Sequence, residues 1–94
     1  MAELLHEYWE TEDGGTFGVV SASDDQFIAA TPGARFIFDL WASCWEEAMQ
    51  GRNDRLGYGR YEPIEGVTDH VYTQDEAEVQ RRYLAARVRP GDAK

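Results

Sequence analysis

The sequence predicts an α+β domain: a three-stranded antiparallel sheet, with room for a fourth strand around Val71, and two main helices packed on one face. Three observations carry this prediction. Residues 3–11 and 35–42 alternate at the strand period of two. An Asp13-Gly14 pair sits between the first alternating run and a second β-rich run, TFGVVSA, which is the usual mark of a hairpin. Two capping boxes, Ser43-x-x-Glu46 and Thr73-x-x-Glu76, each precede a segment of helical period. The order along the chain is therefore β-β-(short α)-β-α-α.

In the first strand, Leu4, His6 and Tyr8 fall on one side and Leu5, Glu7 and Trp9 on the other. The segment HEYWE stops one residue short of the metalloprotease pattern H-E-x-x-H, since Glu10 stands where the second histidine would be. In a half-buried strand, positions four apart lie ~13 Å from one another, so His6 and Glu10 do not share an ion. After the hairpin, Asp24 is placed to cap a short helical turn that buries Phe27 and Ile28 and ends at Pro32-Gly33. RFIFDLWA is the clearest strand, with Phe36, Phe38, Leu40 and Ala42 facing the core and Ile37, Asp39 and Trp41 facing away. Ser43 opens a helix running to about Leu56, with Gly57 as its stop and Trp45, Ala48, Met49 and Leu56 inward. Thr73 opens a second helix, to about Arg87, whose inner side is Ala77, Val79, Tyr83, Leu84, Ala86 and Val88. The 94 residues form a single compact domain, 1–94, with a frayed tail from about 89.

Hydrophobic residues make up 43% of the chain and aromatics 13%, too apolar for a disordered segment despite a net charge of −9. Neither a secretory leader nor a run of ~20 apolar residues is visible, so no membrane association is expected. One cysteine, Cys44, excludes an internal disulfide and fits a reducing, cytoplasmic setting. Residues 1–47 hold ten acids against Arg35 alone, whereas residues 48–94 balance eight acids with eight bases. Direct nucleic-acid binding, which needs clustered Lys and Arg, is opposed. A protein partner with a basic surface is favoured instead.

Candidate chemistry is sparse. Cys44 opens the first capped helix, where the helix dipole lowers a thiol pKa. SCW echoes part of the stretch around a papain-type nucleophile, but that family places its histidine and asparagine farther downstream than this chain reaches. His6, His70 and Asp69 lack the spacing of a metal centre, and neither metal nor cofactor is expected. The loop GYGRYEP offers Tyr58, Arg60 and Tyr61, residue types enriched at protein interfaces. Glu7, Glu10, Glu12 and Asp13, with Asp24 and Asp25, form a candidate negative surface.

YWETEDGGTFGVV followed by a strand and ASCWEEAM resembles the core of HicB-type antitoxins, in which an Asp-Gly-Gly hairpin leads to a third strand and a capped helix. The likeness covers residues 8–50; only TPGA stands for the Pro- and Gly-rich stretch of that family, and no DNA-binding module follows. The leading expectation is a small non-enzymatic interaction or regulatory module that contacts its partner, or a second copy as a homodimer, through a sheet edge or the aromatic loop. The alternatives are an acidic mimic of nucleic acid that occupies an enzyme's basic groove, by analogy in size and charge with phage anti-defence inhibitors, and a small enzyme using Cys44.

Overall fold

A computed structural model describes residues 2–63, 65–66 and 70–87; Asp69, Val88 and the tail from about 89 lie outside the described residues. The elements run β1 (Leu4–Glu10), β2 (Thr16–Val20), α1 (Asp25–Ala29), β3 (Arg35–Ala42), α2 (Trp45–Leu56) and α3 (Gln74–Ala86), the expected order. The strands form one antiparallel sheet in the order β2-β1-β3. Near Val71 the described residues show a single bridge to Cys44 and no fourth strand, with the Tyr72 N–H donating to the Ser43 carbonyl at 2.9 Å.

HEYWE is a strand, but a half-buried one is not what forms. Because β1 is the central strand, His6, Glu7, Tyr8 and Trp9 are all buried, and both of its faces are covered. The β1–β2 turn closes as the Asp-Gly pair predicts, with the Thr11 N–H donating to the Gly15 carbonyl at 2.8 Å.

A bulge in β3 alters the expected alternation. Tyr8 pairs with Phe38 while Trp9 pairs with Phe36, so Ile37 is the extra residue. Phe38 consequently stacks on Tyr8 at 5.2 Å, whereas Phe36 meets Trp9 edge-on at 5.7 Å on the opposite face. Strict period-two reading places Phe36 beside Phe38, and the inserted residue is the reason it lies elsewhere.

The Trp9 face holds the main apolar cluster, Trp9, Val19 and Ile28, with Phe17, Ala34 and Phe36 around it. Ile28 comes from α1 as expected, but Phe27 is 58% exposed. Asp24 makes no capping bond to α1; its carboxylate accepts the Val20 N–H at 2.8 Å at the end of β2. The Tyr8 face is covered by α2, whose Trp45 lies 5.5 Å from the His6 ring and whose Met49 sulfur meets the Tyr8 hydroxyl.

The N-terminus of α2 differs in detail from the expected box. Cys44 is the cap residue and makes no side-chain cap, while the Ser43 N–H donates to Glu47 Oε1 at 2.7 Å, one residue beyond Glu46. Gly57 ends the helix with φ 73°, a left-handed conformation that a residue bearing a Cβ disfavours.

Gly18 has a packing role. A Cβ there would lie 2.5 Å from the ring of Tyr8, which is fully buried and cannot swing away. Gly18→Ala is therefore expected to lower unfolding free energy by about 1–3 kcal/mol through overpacking, measured by urea titration; a neutral result would mean that β2 gives way without cost.

The Thr73 box of α3 forms in full, with Thr73 accepting from the Glu76 N–H and Glu76 returning to the Thr73 N–H. The inward face of α3 is not the expected one. Val79 and Tyr83 are 47% and 61% exposed, and Gln80 is its buried residue. α2 packs on the Tyr8 face, and α3 meets the start of β1 and the end of β2. It begins beside His6, which Tyr72 contacts, and finishes where Arg87 reaches Glu7 on the Trp9 face.

Gln80 explains why α3 turns a polar residue inward. Its amide accepts the Leu5 N–H at 2.8 Å and donates to the carbonyls of Leu5 and Ser21 at 2.9 and 3.1 Å. The β1–β2 ladder ends with the Ser21 N–H on the Leu5 carbonyl, and Gln80 occupies the place of the reciprocal bond. Gln80→Leu leaves the Leu5 N–H and Ser21 carbonyl without this partner, at a cost of about 1–3 kcal/mol for each group that stays buried and unmet. Amide exchange at Leu5 would report it; unchanged protection would show that the ladder closes directly.

Candidate functional site

Two polar assemblies and one cleft concentrate the chemistry of the described residues. The first assembly lies on the Trp9 face. Arg87 donates to both carboxylate oxygens of Glu7, at 2.5 and 3.0 Å, and to both of Asp25, each at 2.8 Å. The Trp9 indole N–H adds a bond to Glu7 at 3.1 Å. Burial alone would raise the Glu7 pKa; the Arg87 and Trp9 hydrogen bonds outweigh it and hold the carboxyl below its ordinary value. Arg87 is correspondingly raised, first by its bond to Glu7. Two carboxylates take four of the five N–H groups of this guanidinium, an arrangement that ties α1, β1 and the end of α3 together.

The second assembly lies on the Tyr8 face. His6 is fully buried; its Nε2 is 3.1 Å from the Tyr72 hydroxyl, and its Nδ1 has no hydrogen-bond partner among the described residues. Desolvation lowers its pKa to about 4, with Asp24 acting in the opposite direction. Beyond Tyr72, His70 contacts Glu76 at 2.7 Å.

Between these assemblies a cleft of about 410 Å³ opens over the ends of β1 and β2 and the first turns of α3. Its walls include the apolar groups of Leu4, Val20, Tyr72 and Val79, and its acids are Asp24, Asp75 and Glu76. The Tyr72–His6 contact and the Asp24–Val20 bond hold two of these groups in place.

No protein-family model, no curated protein and no solved structure matches the chain. The resemblance over residues 8–50 therefore brings no site residues with it, and the site rests on geometry.

The candidate acids separate in space. Glu7 has no accessible surface and is neutralised by Arg87, so it is removed from any partner-facing set. Asp25 shares that arginine, and Glu10 is ion-paired with Arg35. Glu12 and Asp13 are exposed at the hairpin tip, where the Thr11 hydroxyl holds the Asp13 carboxyl below its usual range. Asp24 alone of the six lines the cleft. The aromatic loop is anchored from α2: Gln50 accepts the Tyr61 N–H at 2.9 Å and donates to the Gly59 carbonyl at 3.3 Å. Tyr58 and Arg60 are exposed, Tyr61 is half-buried, and Arg52 stacks on the Tyr58 ring at 5.6 Å.

Cys44 is partly buried at the α2 cap position. Among the described residues no group of three His, Cys, Asp or Glu gathers to hold a metal ion, and no helix is long and apolar enough to cross a membrane.

Sequence reasoning missed Tyr72, Asp75 and Val79 as site residues. The helical period puts Val79 in the core; a usable signal against that is the Gln80 that interrupts the apolar stripe of α3.

Proposed function

We propose that the chain is a non-enzymatic protein-interaction module whose contact surface is the outer side of α3 with the adjoining cleft. One observation carries the reading: α3 buries Gln80 and exposes Val79 and Tyr83 one turn apart. A helix with apolar groups outward and a polar group inward presents a surface suited to a partner. Val79 also belongs to the cleft, so the exposed stripe and the concavity are continuous. The carboxylates around it favour a basic partner and oppose a second copy of a chain carrying −9. The non-enzymatic part is supported by the full burial of His6, which keeps that imidazole away from any substrate. The nucleic-acid mimic loses support because Glu7 is buried and Glu10 is paired.

The test is affinity capture from the source cell's lysate with the wild-type chain beside a Val79→Ser, Tyr83→Ser variant, with thermal melts run in parallel. A protein retained by wild type and depleted at least fivefold by the variant, with the melts alike, is the expected result. Equal retention by both would overturn the placing of the surface on α3. Light scattering on the purified chain separates hetero-association from a dimer.

A further inference from the structure

We infer that the cleft beside α3 is a receptor for an arginine side chain on an apolar segment of the partner protein. This rests on the proposed contact surface and names what it recognises. An arginine is amphipathic: its methylene stem lies along apolar surface while its planar head seeks carboxylates. The cleft offers both in that order. Leu4, Val20 and Val79 supply aliphatic wall and Tyr72 an aromatic one, while Asp24, Asp75 and Glu76 supply three carboxylates, and among the described residues no Lys or Arg lines it. About 410 Å³ is ample for one long side chain with a neighbouring residue's apolar group on Val79.

The three acids reach the cleft from two separate parts of the chain, which makes it a shaped recess. Asp24 comes from the turn after β2 and is oriented by the Val20 N–H at 2.8 Å. Asp75 and Glu76 come from the first turn of α3, and Glu76 is fixed by its bond to the Thr73 N–H at 2.9 Å. Glu76 also meets the His70 ring at 2.7 Å, so Asp24 and Asp75, which have no such basic side chain bonded to them among the described contacts, carry most of the attraction. A carboxylate-bearing or neutral polar segment would gain the apolar contacts without the charge-assisted bonds. A second copy of this chain would bring like charge to like.

The experiment titrates the ¹⁵N-labelled full chain with the peptide acetyl-Leu-Arg-Leu-Arg-Leu-amide and with its citrulline counterpart, which keeps the shape of arginine and lacks its charge. The expected result is chemical-shift perturbation centred on Leu4, Val20, Tyr72 and Val79. Affinity should fall at least fivefold for the citrulline peptide and for the Asp24→Asn, Asp75→Asn double variant. Asparagine at position 24 still accepts the Val20 N–H, so the fold of the turn is kept; a thermal melt checks this. Equal affinity of the two peptides, perturbations centred on the hairpin acids, or no binding of the arginine peptide would each overturn the inference. The capture experiment with the Val79→Ser, Tyr83→Ser variant is read separately. A partner depleted there, while the arginine peptide fails here, removes the arginine receptor and leaves the α3 surface standing.

Discussion

Replacing Arg87 with Met lowers the unfolding free energy by about 3–5 kcal/mol, the usual consequence of stripping one partner from a buried ion pair. Glu7 has no accessible surface and only 8% of the Arg87 side chain is exposed, so water cannot take over the role of the guanidinium. Methionine preserves much of the stem's packing and removes the charge. The remaining carboxylate keeps its bond from Trp9 but has lost its cation, and either stays ionised at high cost or takes up a proton. The double variant Glu7→Gln, Arg87→Met recovers most of the loss, because the uncompensated charge is gone. Urea titrations of the wild type, both single variants and the double variant measure this. A drop below ~1 kcal/mol for Arg87→Met would place the pair in the class of solvated surface bridges and contradict its burial.

Acid weakens the fold in two stages. His6 has a folded pKa of about 4 against 6.5 for the free side chain. Between those values the unfolded chain holds a proton that the folded chain does not, so stability rises with pH across the window and falls as pH drops through it. The full shift corresponds to roughly 3 kcal/mol, at 1.36 kcal/mol per pKa unit. Below about 4.5 Glu7 adds a second loss: its folded pKa is depressed from 4.5, so its contribution is present above that value and disappears as pH falls through the folded one. Denaturation midpoints at pH 7.5, 6.5, 5.5 and 4.5 test the first stage. His6→Gln removes the titrating group and flattens the profile from 6.5 to 4. An unflattened profile would assign the acid limb to other groups.

The sequence made the element order legible because its signals are local. An Asp-Gly pair closes its own hairpin, a Thr-x-x-Glu box satisfies its own helix end, and Gly57 stops α2 at the residue expected. What stayed hidden is non-local. Nothing in RFIFDLWA marks Ile37 as an extra residue, since the bulge is defined by the pairing of β3 with β1. Nor does HEYWE show that Glu7 is buried. A strand with polar residues on both sides is ordinarily read as half solvated, and the compensating cation lies 80 positions away. The cleft was legible only in part. Its apolar members look like core at helical spacing, and Val79 becomes a surface residue because Gln80 has a use at the end of the sheet.

The bonds from Gln80 to Leu5 and from Arg87 to Glu7 join positions 75 and 80 residues apart. For a chain emerging from the ribosome, β1 precedes the other elements of this domain yet is completed only once α3 docks. The hairpin can zip early, but the Glu7 carboxylate and the open rung at Leu5 wait until α3 has left the exit tunnel. Such late, distant closure slows folding relative to domains built on neighbouring contacts. Until α3 docks, the Glu7 carboxylate of the central strand lacks its Arg87 partner.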